Sequence, residues 1–156
     1  TMPLPEKDEM YLTKGKMLQD IVVCLGGRIA ESLVFDDVTT GAVQDIRQAT
    51  ERARDMVTKY GFSDELGMIN YSTSDDEVFI GREIGHAKNF SEGTAAVIDQ
   101  EVKRIIEGCR EKATKILKEN RKVLDKLAEL LIEKERIGQQ EFEALFEQND
   151  ETIEEM

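Results

Sequence analysis

Few residues in this chain have the type and setting to do chemistry. There is one histidine, His86, and a single imidazole cannot build a two-histidine metal site. Cys24 and Cys109 lie far apart and outside any CxxC or metal-type cluster. Cys24 sits in the apolar run Ile21-Val22-Val23-Cys24-Leu25, where a thiol serves as a small buried hydrophobe. His86 has no neighbours that support a base role, so no serine–histidine–aspartate or cysteine–histidine set can be assembled. Gly26-Gly27 follows no strand and lacks the pattern of a phosphate-binding loop, so no nucleotide site is expected. Carboxylates remain, and one stands apart. Thr39-Thr40-Gly41-Ala42-Val43-Gln44-Asp45 sets Asp45 at the front of a helix after a glycine-containing turn. The ordinary work of an acidic residue there is to complement the positive end of the helix dipole.

The elements that must position these residues are mostly helical. Met17, Leu18, Ile21, Val22, Leu25, Ile29 and Leu33 recur at helical spacing and predict a helix over about Lys14–Val34, with Thr13 as its cap. Gly26-Gly27 in its middle points either to close approach of another backbone or to a break between two shorter helices. A second helix is expected from about Ala42 to Tyr60, carrying Ile46, Ala49, Ala53, Met56, Val57 and Tyr60, with Gly61 in the left-handed position past its end. Residues 62–90 read as loop-rich, with strand candidates at Met68–Tyr71 and Val78–Ile80 and an acidic turn over residues 72–77. Ser91 caps a long helix to about Glu119, which Asn120 ends by tolerating the left-handed conformation. Further helices follow over about Lys122–Arg136 and Gln139–Gln148, and an acidic, disordered tail over 149–156. Leu117, Leu124 and Leu131 are spaced by sevens, too few for a coiled coil, and favour a helical hairpin in a small bundle. The fold class expected is mainly α: a helical bundle with a short loop-rich segment and one or two minor β-strands.

Composition narrows the function. A chain of 156 residues can bury one modest core. Its net charge of −12 opposes nucleic-acid binding, which needs clustered cations. No stretch approaches the roughly 20 apolar residues of a membrane span, and no signal sequence is recognisable. The cysteine usage suits a reducing compartment. Thr1-Met2-Pro3-Leu4-Pro5 looks like the end of an extended strand, which suggests a piece of a longer protein.

Several motifs in collinear order carry a resemblance. They are Leu25-Gly26-Gly27-Arg28-Ile29-Ala30-Glu31, the Thr-Thr-Gly-Ala-x-x-Asp run ending at Asp45, and Ala49-Thr50-x-x-Ala53-Arg54-x-Met56-Val57. Gly61-Phe62-Ser63-x-x-Leu66-Gly67, Glu77-Val78-Phe79-Ile80-Gly81-Arg82 and Ile98-Asp99-Gln100-Glu101-Val102 follow. Together they resemble the FtsH family of membrane-anchored, hexameric, ATP-dependent zinc metalloproteases, over roughly Thr1 to Phe146. Family members bind zinc through two histidines of an HExxH helix, whose glutamate is the general base, and an aspartate of a later helix. Asp45 matches that aspartate. Three protein ligands leave the fourth zinc position for water, whose pKa the metal lowers.

The chain departs from the family in holding no HExxH. The resemblance therefore implies residues 1–148 as a partial zinc-metallopeptidase domain, cut after the HExxH helix. No catalytic residue is expected in this chain, with Asp45 as a zinc ligand and Arg28 and Glu31 as supports around it. Zn²⁺ would belong to the complete parent, and ATP with Mg²⁺ to an ATPase module elsewhere. The parent would be a homo-hexamer that degrades unfolded or membrane proteins at the cytoplasmic face of the bacterial inner membrane. This segment itself would be soluble and touch neither membrane nor nucleic acid. Apolar surface meant for the absent helix would promote self-association through Val22, Gly26, Gly27 and Ile29. The alternative is a non-catalytic helical scaffold for protein–protein assembly, using residues 91–146.

Overall fold

The computed structural model describes residues 11–35, 39–72 and 90–154, with side chains as far as Phe146. Five α-helices and no strand occur among the described residues, so the chain is mainly α. It divides into two compact units, Thr1–Ala113 and Thr114–Met156.

In the first unit, α1 spans Lys14–Val34, and Thr13 accepts a hydrogen bond from the Lys16 amide at 3.1 Å to start it. Met17, Ile21, Leu25 and Ile29 are its buried stripe, each four residues from the next. The helix passes through Gly26-Gly27 without a break, and no described atom lies within 4 Å of a Cβ built on either. The outer face carries Val23, 74% exposed, whereas Ile29 turns inward at 8%. Of the face expected at Val22, Gly26, Gly27 and Ile29, Ile29 is buried because the four-residue core spacing commits it to the interior, while Val22 and Gly26 are half-buried and Gly27 is exposed.

A 3-10 turn, Thr40–Ala42, leads into α2, Val43–Thr58, which packs on α1. Its buried residues include the small Ala49 and Ala53 beside Met56 and Val57, and small side chains let two helix axes approach closely. Ile46 and Tyr60, expected in the stripe, are 43% and 48% exposed. The two helices run antiparallel: Asp20 near the start of α1 pairs with Arg52 near the end of α2, and Arg28 reaches the residue that precedes the turn. Gly61 adopts φ +62°, the left-handed conformation anticipated for it. A Cβ there would lie 3.2 Å from the Met68 Cα, so both torsion and space require glycine.

Met68–Tyr71 is not a strand. The Tyr71 amide donates instead to the Thr58 carbonyl at 2.7 Å, returning the loop to the end of α2. A loop satisfied in this way needs no ladder partner. Val78–Ile80, most of the acidic turn and His86 lie outside the described residues. Ser91 Oγ caps α3, Glu92–Glu119, by accepting from the Thr94 amide at 3.2 Å. Ile98, Val102, Cys109 and Ala113 of α3 are buried. The largest side chains withdrawn from water are Ile21, Met56, Ile98 and Val57, each contributing about 1.5–3 kcal/mol.

In the second unit, Asn120 separates α3 from α4, Arg121–Lys134. Its φ of −106° is not left-handed. It ends α3 with its side chain, Nδ2 donating to the Ile116 carbonyl at 2.9 Å. The left-handed residue is Glu135, φ +59°, which closes α4. The helical hairpin here joins α4 to α5, Gln139–Glu154. Lys134 Nζ meets Glu141 at 2.7 Å across the turn, and the Phe142 and Phe146 rings sit 5.3 Å apart edge to face. The helical backbone of α5 runs to Glu154, past Gln148 where the pattern suggested an end.

Candidate functional site

Asp45 lies in the first turn of α2 and is exposed. The residue that fixes this turn is Thr39. Its carbonyl accepts from Arg28 Nη1 at 2.6 Å. Its hydroxyl donates to Glu31 Oε1 at 3.2 Å, and its amide to Glu31 Oε2 at 3.4 Å. The same hydroxyl accepts the Gly41 amide at 3.2 Å, closing the turn. Every polar group of Thr39 is thus engaged, and two residues of α1 hold the peptide that launches α2. Arg28 and Glu31 reach Thr39, six residues before Asp45, and are themselves about one-third exposed.

Farther along α1, toward its amino end, Cys24 completes the polar edge. Burial pushes its thiol up; Arg52 pulls it down, and the Asp45 and Asp20 carboxylates push it up again. Burial is the largest of these effects, and it favours the protonated thiol. Burial likewise raises Cys109, whose thiol faces the Leu18 carbonyl at 3.7 Å.

A zinc site of the kind the resemblance implies needs three protein ligands. Among the described residues no three His, Cys, Asp or Glu side chains come together. An exposed carboxylate at Asp45 has the right donor chemistry for one corner, but the described residues cannot hold the ion themselves.

A second polar cluster lies at the other end of α2. Glu101 is 5% exposed and Ser63 is 2% exposed. Arg104 grips the Glu101 carboxylate through Nε and Nη2, both at 2.8 Å, while Ser63 Oγ donates to it at 2.6 Å. The Arg104 hydrogen bond holds the Glu101 carboxyl below its usual range, and Ser63 and Lys14 act in the same direction against the opposing effect of burial. Sequence reasoning did not single this cluster out. The available signal was Glu101 itself, a charge set between Ile98, Val102 and Ile105 on the apolar face of α3.

Comparison with known proteins decides the family. The family model Peptidase family M41 matches residues 1–145. This chain belongs to peptidase family M41. It is 51% identical over 150 residues to the ATP-dependent zinc metalloprotease FtsH 1 of Thermoanaerobacter sp. (strain X514), covering 96% of this chain and 24% of the relative. It is 52% identical over 145 residues to the ATP-dependent zinc metalloprotease FtsH of Caldicellulosiruptor bescii, covering 93% and 24%. With the enzyme of the same name from Thermotoga maritima it shares 43% identity over 153 residues, 98% of this chain and 25% of the relative. The chain spans about a quarter of the length of these relatives. Within the M41 chain, motifs distant in sequence meet in space. The Gly26–Glu31 motif binds the Thr39–Asp45 motif through Thr39, and the Gly61–Gly67 motif binds the Ile98–Val102 motif through Ser63 and Glu101.

Proposed function

We propose that these residues serve as one portion of a zinc-peptidase domain, with Asp45 as its aspartate ligand. The carrying observation is that Asp45 stands exposed on the first turn of a helix whose launching peptide Arg28 and Glu31 hold in place. Those two residues support the ligand through Thr39 rather than by touching it. When bound, zinc would supply an activated water for peptide hydrolysis. The chain's own part is to present a carboxylate oxygen and offset the metal's charge. With one histidine in the sequence it is inactive by itself, and two histidines and a general base must come from an HExxH segment.

The whole protein would then be an ATP-dependent, membrane-anchored, hexameric metalloendopeptidase. Unfolded or membrane proteins would be its substrates, at the cytoplasmic face of a bacterial inner membrane, with ATP and Mg²⁺ bound outside this chain. No helix among the described residues is long and apolar enough to cross a membrane. Self-association of the isolated chain would use the exposed face of α1 at Val23, Gly27 and Val34.

Calorimetric zinc titration of this chain should show no tight site; one-to-one binding below a micromolar dissociation constant would contradict the ligand inventory. In a full-length protein containing these residues, Asp45→Asn should lower zinc content and peptidase activity while ATP hydrolysis persists. Retention of both zinc and peptidase activity would remove Asp45 from the site.

A further inference from the structure

The Asp45 reading makes no use of the buried carboxylate of Glu101, and burial of a charge is costly enough to call for a cause. Three observations converge on it. Its three hydrogen bonds satisfy it from two directions: Arg104 on its own helix, and Ser63 from the loop that follows α2. Ser63 is in turn the pivot of that loop, since its Oγ accepts the Leu66 amide at 3.3 Å and its carbonyl accepts the Gly67 amide at 3.0 Å. The loop also grips the carboxyl end of α2 on both sides of Ser63. The Phe62 amide donates to the Met56 carbonyl at 2.9 Å, and the Tyr71 amide to the Thr58 carbonyl at 2.7 Å.

We propose that Ser63, Glu101 and Arg104 form a latch that bolts the loop over residues 61–71, and with it the carboxyl end of α2, to α3. An apolar contact at this place would resist separation without fixing direction. A carboxylate held by a two-point guanidinium and a serine hydroxyl fixes direction as well. Arg104 keeps a 64% exposed side chain, so the latch has one side in contact with water. Arg104 and Lys14 act on Glu101, while Asp64 and Glu65 in the loop act on Arg104 and strengthen its charge. These cations favour the ionised form of Glu101, the form that accepts all three hydrogen bonds, and protonation by acid is expected to weaken the latch. The latch stands whether or not Asp45 binds a metal.

Amide hydrogen exchange read by NMR on this chain tests it. Arg104→Gln alters a mostly exposed side chain and leaves the apolar core intact. It should speed exchange at the Leu66, Gly67 and Tyr71 amides about tenfold, while the amides of Ile21 and Leu25 in α1 stay within about twofold. Ser63→Ala should release the Leu66 amide, and Ser63→Thr should restore it. On acidification the Leu66 amide resonance should report a titration below the ordinary glutamate range, absent in Glu101→Gln. Loop amides unchanged in Arg104→Gln would overturn the latch. So would equal acceleration in α1 and the loop, which would mean that Arg104 adds only general stability. Failure of Ser63→Thr to protect Leu66, or a Leu66 titration at the ordinary glutamate range, would overturn it as well.

Discussion

The two ends of α2 are held by opposite kinds of chemistry. At the amino end the holding groups are Arg28, Glu31 and Thr39, all in contact with water, and the residue they present is an exposed carboxylate. Toward the carboxyl end a buried pair, Ser63 and Glu101, holds the loop that follows α2, alongside the exposed Arg104 and an exposed Arg54–Asp99 ion pair that joins α2 to α3 at 3.2 Å. Exposed polar contacts contribute little because water competes for each partner. Buried ones are costly to break, because the abandoned partner has no water to turn to. On that contrast the carboxyl end of α2 is expected to be the more firmly anchored, and the amino end, which carries Asp45, the more adjustable. The ligand role proposed for Asp45, completed by groups from another segment, would suit the adjustable end.

Removing the buried anchor should produce the largest effect. Glu101→Ala should destabilise the chain by about 2–3 kcal/mol in urea titrations, since it strands Ser63 in the interior. A loss as small as that of an exposed ion pair would erase the contrast between the two ends. The same anchor sets a pH dependence. The Arg104 hydrogen bond holds the folded-state pKa of Glu101 below the ordinary glutamate value. Its contribution is therefore fully present above that value and fades as pH falls through the lower, folded-state pKa. Stability measured from neutral pH downward should drop less steeply in Glu101→Gln than in the parent chain.

Backbone geometry at the anchored end comes next. Gly61→Ala places a Cβ in a left-handed residue and against the Met68 Cα, which should cost about 1–2 kcal/mol. The equivalent change at the other end, Gly41→Ala, needs no left-handed torsion and meets only the Thr39 hydroxyl at 3.2 Å, so it should cost less. A ratio reversed between these two variants would show that the amino-terminal turn is the stiffer one.

These differences bear on what the sequence disclosed. Local signals were legible. Thr13 and Ser91 act as caps, Gly61 is left-handed, and α1 keeps the bounds that its apolar spacing suggested. Asn120 was legible as a stop, though it works by a side-chain hydrogen bond rather than by its torsion. Contacts across long sequence separations were not legible. Ser63 and Glu101 are 38 residues apart, and nothing local in either segment names the other. Met68–Tyr71 misled because a short stretch holding Met68, Ile69 and Tyr71 resembles a strand, whereas Met68 is fully exposed and Tyr71 returns to α2. At the candidate site, Asp45 came from family resemblance, since its setting alone suits any helix start. Thr39 went unnoticed because its importance lies in what Arg28 and Glu31 do to it from another helix.

The adjustable end should yield smaller changes. Thr39→Val keeps the shape and removes the hydroxyl that both caps Gly41 and donates to Glu31. A loss of about 0.5–1 kcal/mol is expected for such partly wet hydrogen bonds. Glu31→Gln should fall at or below that figure, because a neutral amide oxygen still accepts from Thr39. If either matched Glu101→Ala, the turn would be a structural keystone rather than a support.

The smallest effect should come from the residue assigned the most chemical work. Asp45 contributes to the fold through its charge near the helix amino end, a contribution of about 0.5 kcal/mol when exposed. Asp45→Asn retains the side-chain shape and gives up that charge, so thermal or urea midpoints of this chain should barely move. Fold and function would then separate at one position: negligible change in the stability of this chain, against loss of zinc from a full-length protein carrying the same substitution. A large destabilisation would instead make Asp45 a structural residue, and the metal loss would then follow from unfolding rather than from a missing ligand.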